Sequence, residues 1–267
     1  MGGPEGVPIV QSIVMATPPQ PGDDDGAPMV EASEYAQRWS RYWNTINDRD
    51  GSIVWDVPAE EGVALDWPTF SDKLTPGLPL VHMGCGHGRQ TAYLAEHFPR
   101  VIGVDVATAA IERARKEYGR DNLKFRVADG FDPKDMQSLH AELGDCNVYV
   151  RGVIHQLEPD DRRRMVEGAL TLCGDRGLLH LLELRQGAER LLMPLLKLGV
   201  IPSLKTVLDA GITPVGVTED EVVALLGERY EVLERGPTLL MRLQPSRLPM
   251  KFRVSAWSMS IRARGAA

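Results

Sequence analysis

The run Leu80-Val81-His82-Met83-Gly84-Cys85-Gly86-His87-Gly88 constrains this chain more than any other stretch. An apolar strand pattern passes into three glycines at alternate positions. A helical pattern then begins near Arg89 and carries Tyr93, Leu94 and Phe98. A strand, a tight glycine loop and a helix N-terminus together form a site for the polar part of a nucleotide-like ligand, because glycine lets the backbone approach closely and the free amides point outward. Seventeen residues after Gly88 a second strand, Val101-Ile102-Gly103-Val104, ends in Asp105. A carboxylate at that point is placed to accept hydrogen bonds from both hydroxyls of a ribose.

The loop does not read as a dinucleotide fingerprint. G-x-G-x-x-G/A started at Gly84 needs a small residue where Arg89 stands, and started at Gly86 it meets Thr91. No G-x-x-x-x-G-K-[ST] run occurs, which excludes a P-loop. The pattern present is G-x-G-x-G, followed by Asp105 and then by Val127-Ala128-Asp129-Gly130-Phe131 after the strand Leu123-Lys124-Phe125-Arg126. In this order and spacing the chain resembles the class I S-adenosylmethionine-dependent methyltransferases.

That resemblance implies an α/β, Rossmann-like fold with a seven-stranded, mostly parallel sheet and helices on both faces. It implies S-adenosyl-L-methionine as cofactor and S-adenosyl-L-homocysteine as product. By the same resemblance, Met83, Gly84, Cys85, Gly86 and Gly88 wrap the methionine and ribose part. Asp105 and Val106 hold the ribose, and Asp129, Gly130 and Phe131 meet the adenine. Where the family usually carries an acid two residues before the first glycine, this chain has His82.

Upstream, residues 1–30 are rich in Pro, Gly and Asp and read as a disordered leader, too poor in apolar surface to offset the cost of ordering. Residues 31–77 read as an N-terminal helical lid. Its helix begins at Ser33 and lines up Tyr35, Trp39 and Trp43 along one face. These aromatics either pack on the sheet or close over the cofactor, and the second reading adds Trp39 and Trp43 to the cofactor contacts. Tyr42-Trp43-Asn44 and Ile53-Val54-Trp55-Asp56 are loosely similar to the entry segment of thiopurine and thiol methyltransferases.

The methyltransferase domain is expected over residues 78–245. Its fourth strand, Cys146–Val150, leads into Arg151-Gly152-Val153-Ile154-His155, and the helix after it opens at Pro159. The thiopurine-type resemblance puts Arg151 near the acceptor or the cofactor, and His155 is the one histidine just after strand 4. Both are candidate catalytic residues, with loop packing as the alternative for His155 and a salt bridge for Arg151. The strand-4 end offers Tyr149-Val150-Arg151 rather than the carboxylate and amide ligands of magnesium-dependent relatives, so no metal is expected.

After a fifth strand, Gly177–Leu184, residues 186–214 form an apolar insertion, read either as packing or self-association surface or as a cap over a lipophilic acceptor. His180 within that strand reads as a packed residue. Tyr230–Glu234 and Thr238–Leu243 read as the closing pair of strands, and residues 246–267 as a basic C-terminal extension, either a loose tail or an added edge strand.

Thirty basic against 37 acidic residues, a net charge of -7, argue against a large nucleic-acid footprint. Three cysteines without C-x-x-C spacing indicate neither a disulfide framework nor a zinc site. Without an apolar run of bilayer length or a secretory pattern, a cytoplasmic protein with no membrane partner is expected. The reading that follows is methyl transfer to a thiol or hydroxyl of a small, lipophilic molecule. Two alternatives stay open: a non-catalytic binding or regulatory protein of the same fold, and a protein or peptide methyltransferase.

Overall fold

The computed structural model describes residues 33–46, 53–213, 216–243 and 250–265. The leader expected over 1–30 lies outside them. Helix α1 (Glu34–Thr45) is capped by Ser33, whose hydroxyl accepts from the Ala36 amide at 3.2 Å. Helix α2 (Val63–Phe70) precedes β1 (Leu80–Met83), α3 (Arg89–Leu94), β2 (Val101–Asp105), α4 (Thr108–Tyr118), β3 (Leu123–Val127), α5 (Pro133–Leu143) and β4 (Asn147–Arg151). Then come α6 (Pro159–Cys173), β5 (Leu178–Leu184), α7 (Glu189–Lys197), α8 (Pro202–Asp209), α9 (Glu219–Val223), β6 (Tyr230–Leu243) and β7 (Phe252–Ala263). Among the described residues, no single helix is long and apolar enough to cross a membrane.

The seven strands lie in the order β3-β2-β1-β4-β5-β7-β6. β1 to β5 run parallel, and β7 runs antiparallel to both β5 and β6. β1, β4 and β5 are buried along their whole length, as strands covered by helices on both faces must be. Alternate residues divide between two helical layers. Val81, Met83, Val148 and Val150 pack toward α5 and α6, whereas Leu80 and Tyr149 pack toward α2, α3 and α4.

Two parts of the sequence reading change. Tyr230–Leu243 is one long strand and not a pair, and the segment read as a C-terminal extension supplies β7, inserted between β5 and β6. Gly236-Pro237, which resembles a turn locally, is carried through because β6 lies at the sheet edge, where proline's missing donor costs no ladder bond inside the sheet. Register shifts between Val232 and Glu234 and between Leu239 and Met241 absorb the irregularity. The apolar side chains Val254, Ala256, Trp257, Met259 and Ile261 make β7 a core strand despite the arginines around them.

The second change concerns the residues read as a lid. Only α1 and the loop that follows face the cavity described below; α2 belongs to the core. Phe70 of α2 is fully buried, stacked on Tyr149 and His180. Asp66, also fully buried, accepts from the Tyr149 hydroxyl at 3.1 Å and lies 3.2 Å from His180 Nε2, while His180 Nδ1 is 2.9 Å from the Ser260 hydroxyl. His180 is therefore a packed strand residue, as its sequence context suggests. α7 and α8 share one apolar cluster with α1, with the ends of β5 and β6 and with the start of β7.

Candidate functional site

A cavity opens beyond the carboxyl ends of β1, β2, β3 and β4, where ligands bind in open parallel sheets. The glycine loop forms its floor. Gly84 has φ +70°, and a Cβ there would lie 2.4 Å from Val153 Cγ2, so only glycine passes beneath the loop that follows β4. At Gly86, φ +54°, a Cβ would meet the Trp43 ring at 3.1 Å. Met83, Cys85, Asp105, Val106, Asp129, Gly130 and Phe131 line the same space, as do Trp39, Trp43, Arg151 and His155.

Gly88 is the exception among the expected contacts. It stands behind the loop as the residue before α3, with φ +91°, and a Cβ there would strike Phe125 at 2.7 Å. Its requirement for glycine comes from that left-handed backbone and from the close packing of Phe125 on β3 and Ala114 on α4.

The polar groups have defined partners. Asp105 accepts from the Gly86 amide at 2.9 Å and from the Ala107 amide at 3.0 Å, so the second strand braces the loop of the first. Burial raises its pKa, and the amide hydrogen bonds offset part of that rise. Asp129 accepts from the Phe131 amide at 2.9 Å through one oxygen. Burial raises its pKa as well, against the same amide and with the help of neighbouring Asp135 and Asp132. His82 Nδ1 lies 2.8 Å from the Thr91 hydroxyl. Burial, reinforced by nearby Arg151, pushes its pKa down to about 3, so the imidazole is neutral.

The segment after α1 is tied to the glycine loop: Asp56 lies 3.0 Å from His87 Nε2 and 2.6 Å from Arg89 Nε. Trp55 packs against Trp39, Tyr42 and Trp43, and Tyr35 against Phe131. The aromatic face of α1 thus both packs and covers the cavity.

Glu183 is the most consequential of the missed residues. Fully buried, it accepts from the amides of Val153 (3.1 Å), Ile154 (2.9 Å) and His155 (3.2 Å), and its Oε2 lies 2.9 Å from His155 Nδ1. A carboxylate only accepts, so Nδ1 carries a proton, and in the neutral ring Nε2 then presents its lone pair. Nε2 has no protein partner among the described residues. A single acid in the otherwise apolar run Leu178-Leu179-His180-Leu181-Leu182-Glu183-Leu184 was the available signal.

The far side of the cavity is apolar. Leu184, Leu192, Leu204, Val207, Ile212, Leu240, Met241 and Val254 form that wall, drawn from β5, the helix pair α7–α8, and β6 and β7. Among the described residues, no group of three or more His, Cys, Asp or Glu side chains is arranged to hold a metal ion.

A loop of glycines, carboxylates at and just beyond the ends of β2 and β3, and an aromatic cover thus meet at the carboxyl edge of a seven-stranded sheet. The methyltransferase-domain family matches residues 81–177. A crystal structure of an S-adenosylmethionine-dependent methyltransferase from Anabaena variabilis is 32% identical, with a TM-score of 0.79, covering 86% of this chain and 95% of that one. The chain belongs to the S-adenosylmethionine-dependent methyltransferases.

More distant structures share the fold. One comes from work on conversion of a disulfide bond into a thioacetal group during echinomycin biosynthesis (21% identity, TM-score 0.58, 78% of this chain and 84% of that one). Another is the N-methyltransferase NodS from Bradyrhizobium japonicum in complex with S-adenosyl-L-homocysteine (16%, 0.52, 86% and 98%). Comparison with curated proteins finds no match.

Proposed function

We propose that this methyltransferase transfers the methyl group to a hydroxyl or thiol of a small, largely apolar molecule. The observation that carries this reading is one cavity lined both by glycines and carboxylates and by an apolar wall, with His155, held by Glu183, on the same lining. S-adenosyl-L-methionine, when bound, supplies an electrophilic methyl group on a sulfonium.

The chain's own residues do the rest. Gly84 and Gly86 keep the floor free of side chains, and their backbone can approach a ligand closely. Asp105 and Asp129 each retain acceptor capacity for the hydroxyls and amino group of an adenosine. Trp39 and Trp43 cover that end and exclude water. The apolar wall orients the acceptor, and alignment of this kind supplies much of the acceleration of a direct displacement.

His155 Nε2 takes the acceptor's proton, and Glu183 holds the ring and balances the charge that results. This help matters most for a phenol, with its pKa of about 10, and less for a thiol at ~8.5.

Calorimetric titration with S-adenosylmethionine and S-adenosylhomocysteine, on wild type and Asp105→Ala, tests the cofactor end. Micromolar binding lost in the variant supports the reading; no binding to wild type turns the argument to a protein that keeps the fold without turnover. Turnover of lipophilic phenols and thiols from pH 6 to 9 then tests the other end. His155→Ala is expected to lower phenol turnover by about 100-fold, with partial recovery at high pH. Unchanged turnover across that range removes His155 from the mechanism.

A further inference from the structure

Arg151 is the last residue of β4 and is nine-tenths buried, yet its guanidinium has one partner among the described residues, the Leu240 carbonyl oxygen. Its Nε is buried without any hydrogen-bond partner. Among the described residues no carboxylate pairs with it: Asp129, on the cavity lining, accepts from the Phe131 amide, and the other nearby acids face other groups. Asp56 holds His87 and Arg89, and Asp105 holds the glycine loop. Glu183 lies on the strand neighbouring β4 but alternates to the other face of the sheet, where three amides and His155 occupy it. A buried cation without a counter-charge is costly, and the cost is relieved when a ligand brings the anion.

We infer that Arg151 is a specificity-determining residue that holds a carboxylate of the acceptor, so that the substrate is a small apolar acid carrying, apart from its carboxylate, the hydroxyl or thiol that is methylated. The inference rests on the function proposed above and narrows its substrate class. Three observations carry it. The guanidinium is anchored to Leu240, a residue of the apolar wall, which ties it to the acceptor end of the cavity. That wall supplies no other charge, so an acid with an apolar body meets one cation and otherwise hydrocarbon. Gln156, which follows His155, donates to the Gly152 carbonyl at 2.8 Å while its own buried Oε1 has no partner, leaving an acceptor for a hydroxyl or thiol beside the proposed base.

A carboxylate also terminates the cofactor's amino-acid part, so the test must separate the two sources. Benzoate and its neutral isostere benzamide are added to the S-adenosylhomocysteine complex of wild type, Arg151→Gln and Arg151→Lys, and the melting temperature is followed. Benzoate is expected to raise it in wild type in a concentration-dependent way, to do so less in Arg151→Lys, and to leave Arg151→Gln unchanged, with no effect of benzamide on any of them. In parallel, S-adenosylhomocysteine and 5′-methylthioadenosine, which lacks the amino-acid part, are titrated calorimetrically. Arg151→Gln is expected to bind both within about threefold of wild type.

Equal stabilisation by benzamide, none by benzoate, or a benzoate effect surviving in Arg151→Gln overturns the inference. A tenfold or greater loss for S-adenosylhomocysteine alone, with 5′-methylthioadenosine unaffected, overturns it too, because the partner of Arg151 is then the cofactor's own carboxylate. If wild type binds neither nucleoside, the function proposed above has failed; if it binds both and ignores benzoate, only the present inference has.

Discussion

The two ends of the cavity are built in different ways. The end proposed for the cofactor comes from short turns at the ends of β1, β2 and β3, between Gly84 and Phe131, and each contribution is a local motif of two or three residues. The end proposed for the acceptor is gathered from β5, the α7–α8 pair, β6 and β7, from Leu184 to Val254. Parallel strands bring their ends together by topology, so turn chemistry alone is enough to compose the first end. The second end exists only as packing between elements far apart in the chain. One end is accordingly sensitive to backbone conformation, the other to side-chain volume.

Gly84→Ala should separate the two most sharply. Its φ of +70° and the 2.4 Å approach to Val153 combine strain with a collision. We expect affinity for S-adenosylhomocysteine to fall about 100-fold by calorimetry, as a backbone cost of 1–3 kcal/mol added to overpacking would give. Gly84→Ala with Val153→Ala should recover part of the loss, namely the collision and not the φ strain. Unchanged affinity in the single variant would break the comparison at its stronger end.

Leu204→Ala probes the other end with a smaller effect. Removing part of the apolar wall is expected to raise the acceptor KM about tenfold while leaving cofactor affinity unchanged. If both constants move together, the two ends act as one packed unit and the distinction fails.

The smallest effect lies at the boundary, in His82, and concerns stability. The folded pKa is depressed to about 3, so the native imidazole stays neutral while the unfolded chain takes up a proton below the ordinary value. Stability contributed by the neutral form is therefore whole above that value and declines as pH falls from there toward 3. From this residue alone the loss is about 0.8 kcal/mol at pH 6, growing to about 1.4 kcal/mol per further pH unit. Urea unfolding at pH 7.5, 6 and 5 measures it, and His82→Gln should flatten the dependence. An identical slope in that variant would place the titrating group elsewhere.

Much of the end lined by Gly84, Gly86, Asp105 and Asp129 was legible in the sequence, because each stands just after a parallel strand and the sheet topology brings such turns together. The parallel sheet was legible for a related reason: β1, β4 and β5 are buried on both faces and read as near-continuous apolar runs. What the chain could not show in one dimension was the pairing of its last third. Gly236-Pro237 has turn chemistry, and only its position on the edge strand, with β7 arriving between β5 and β6, makes a straight strand cheaper than a hairpin there.

The same holds for Glu183 and for the charge of Arg151. Glu183 is an acid in an apolar strand until the loop after β4 folds over it and turns three amides and an imidazole toward one carboxylate. Arg151 is a surface-type residue until β6 covers it and no acid comes with the cover. The sequence by itself determined the elements whose cause is local, the glycine turns and the strand-end carboxylates. The tertiary structure decided which groups lose water and which partners they meet there, because burial and long-range pairing are properties of the packed chain and of no single stretch of it.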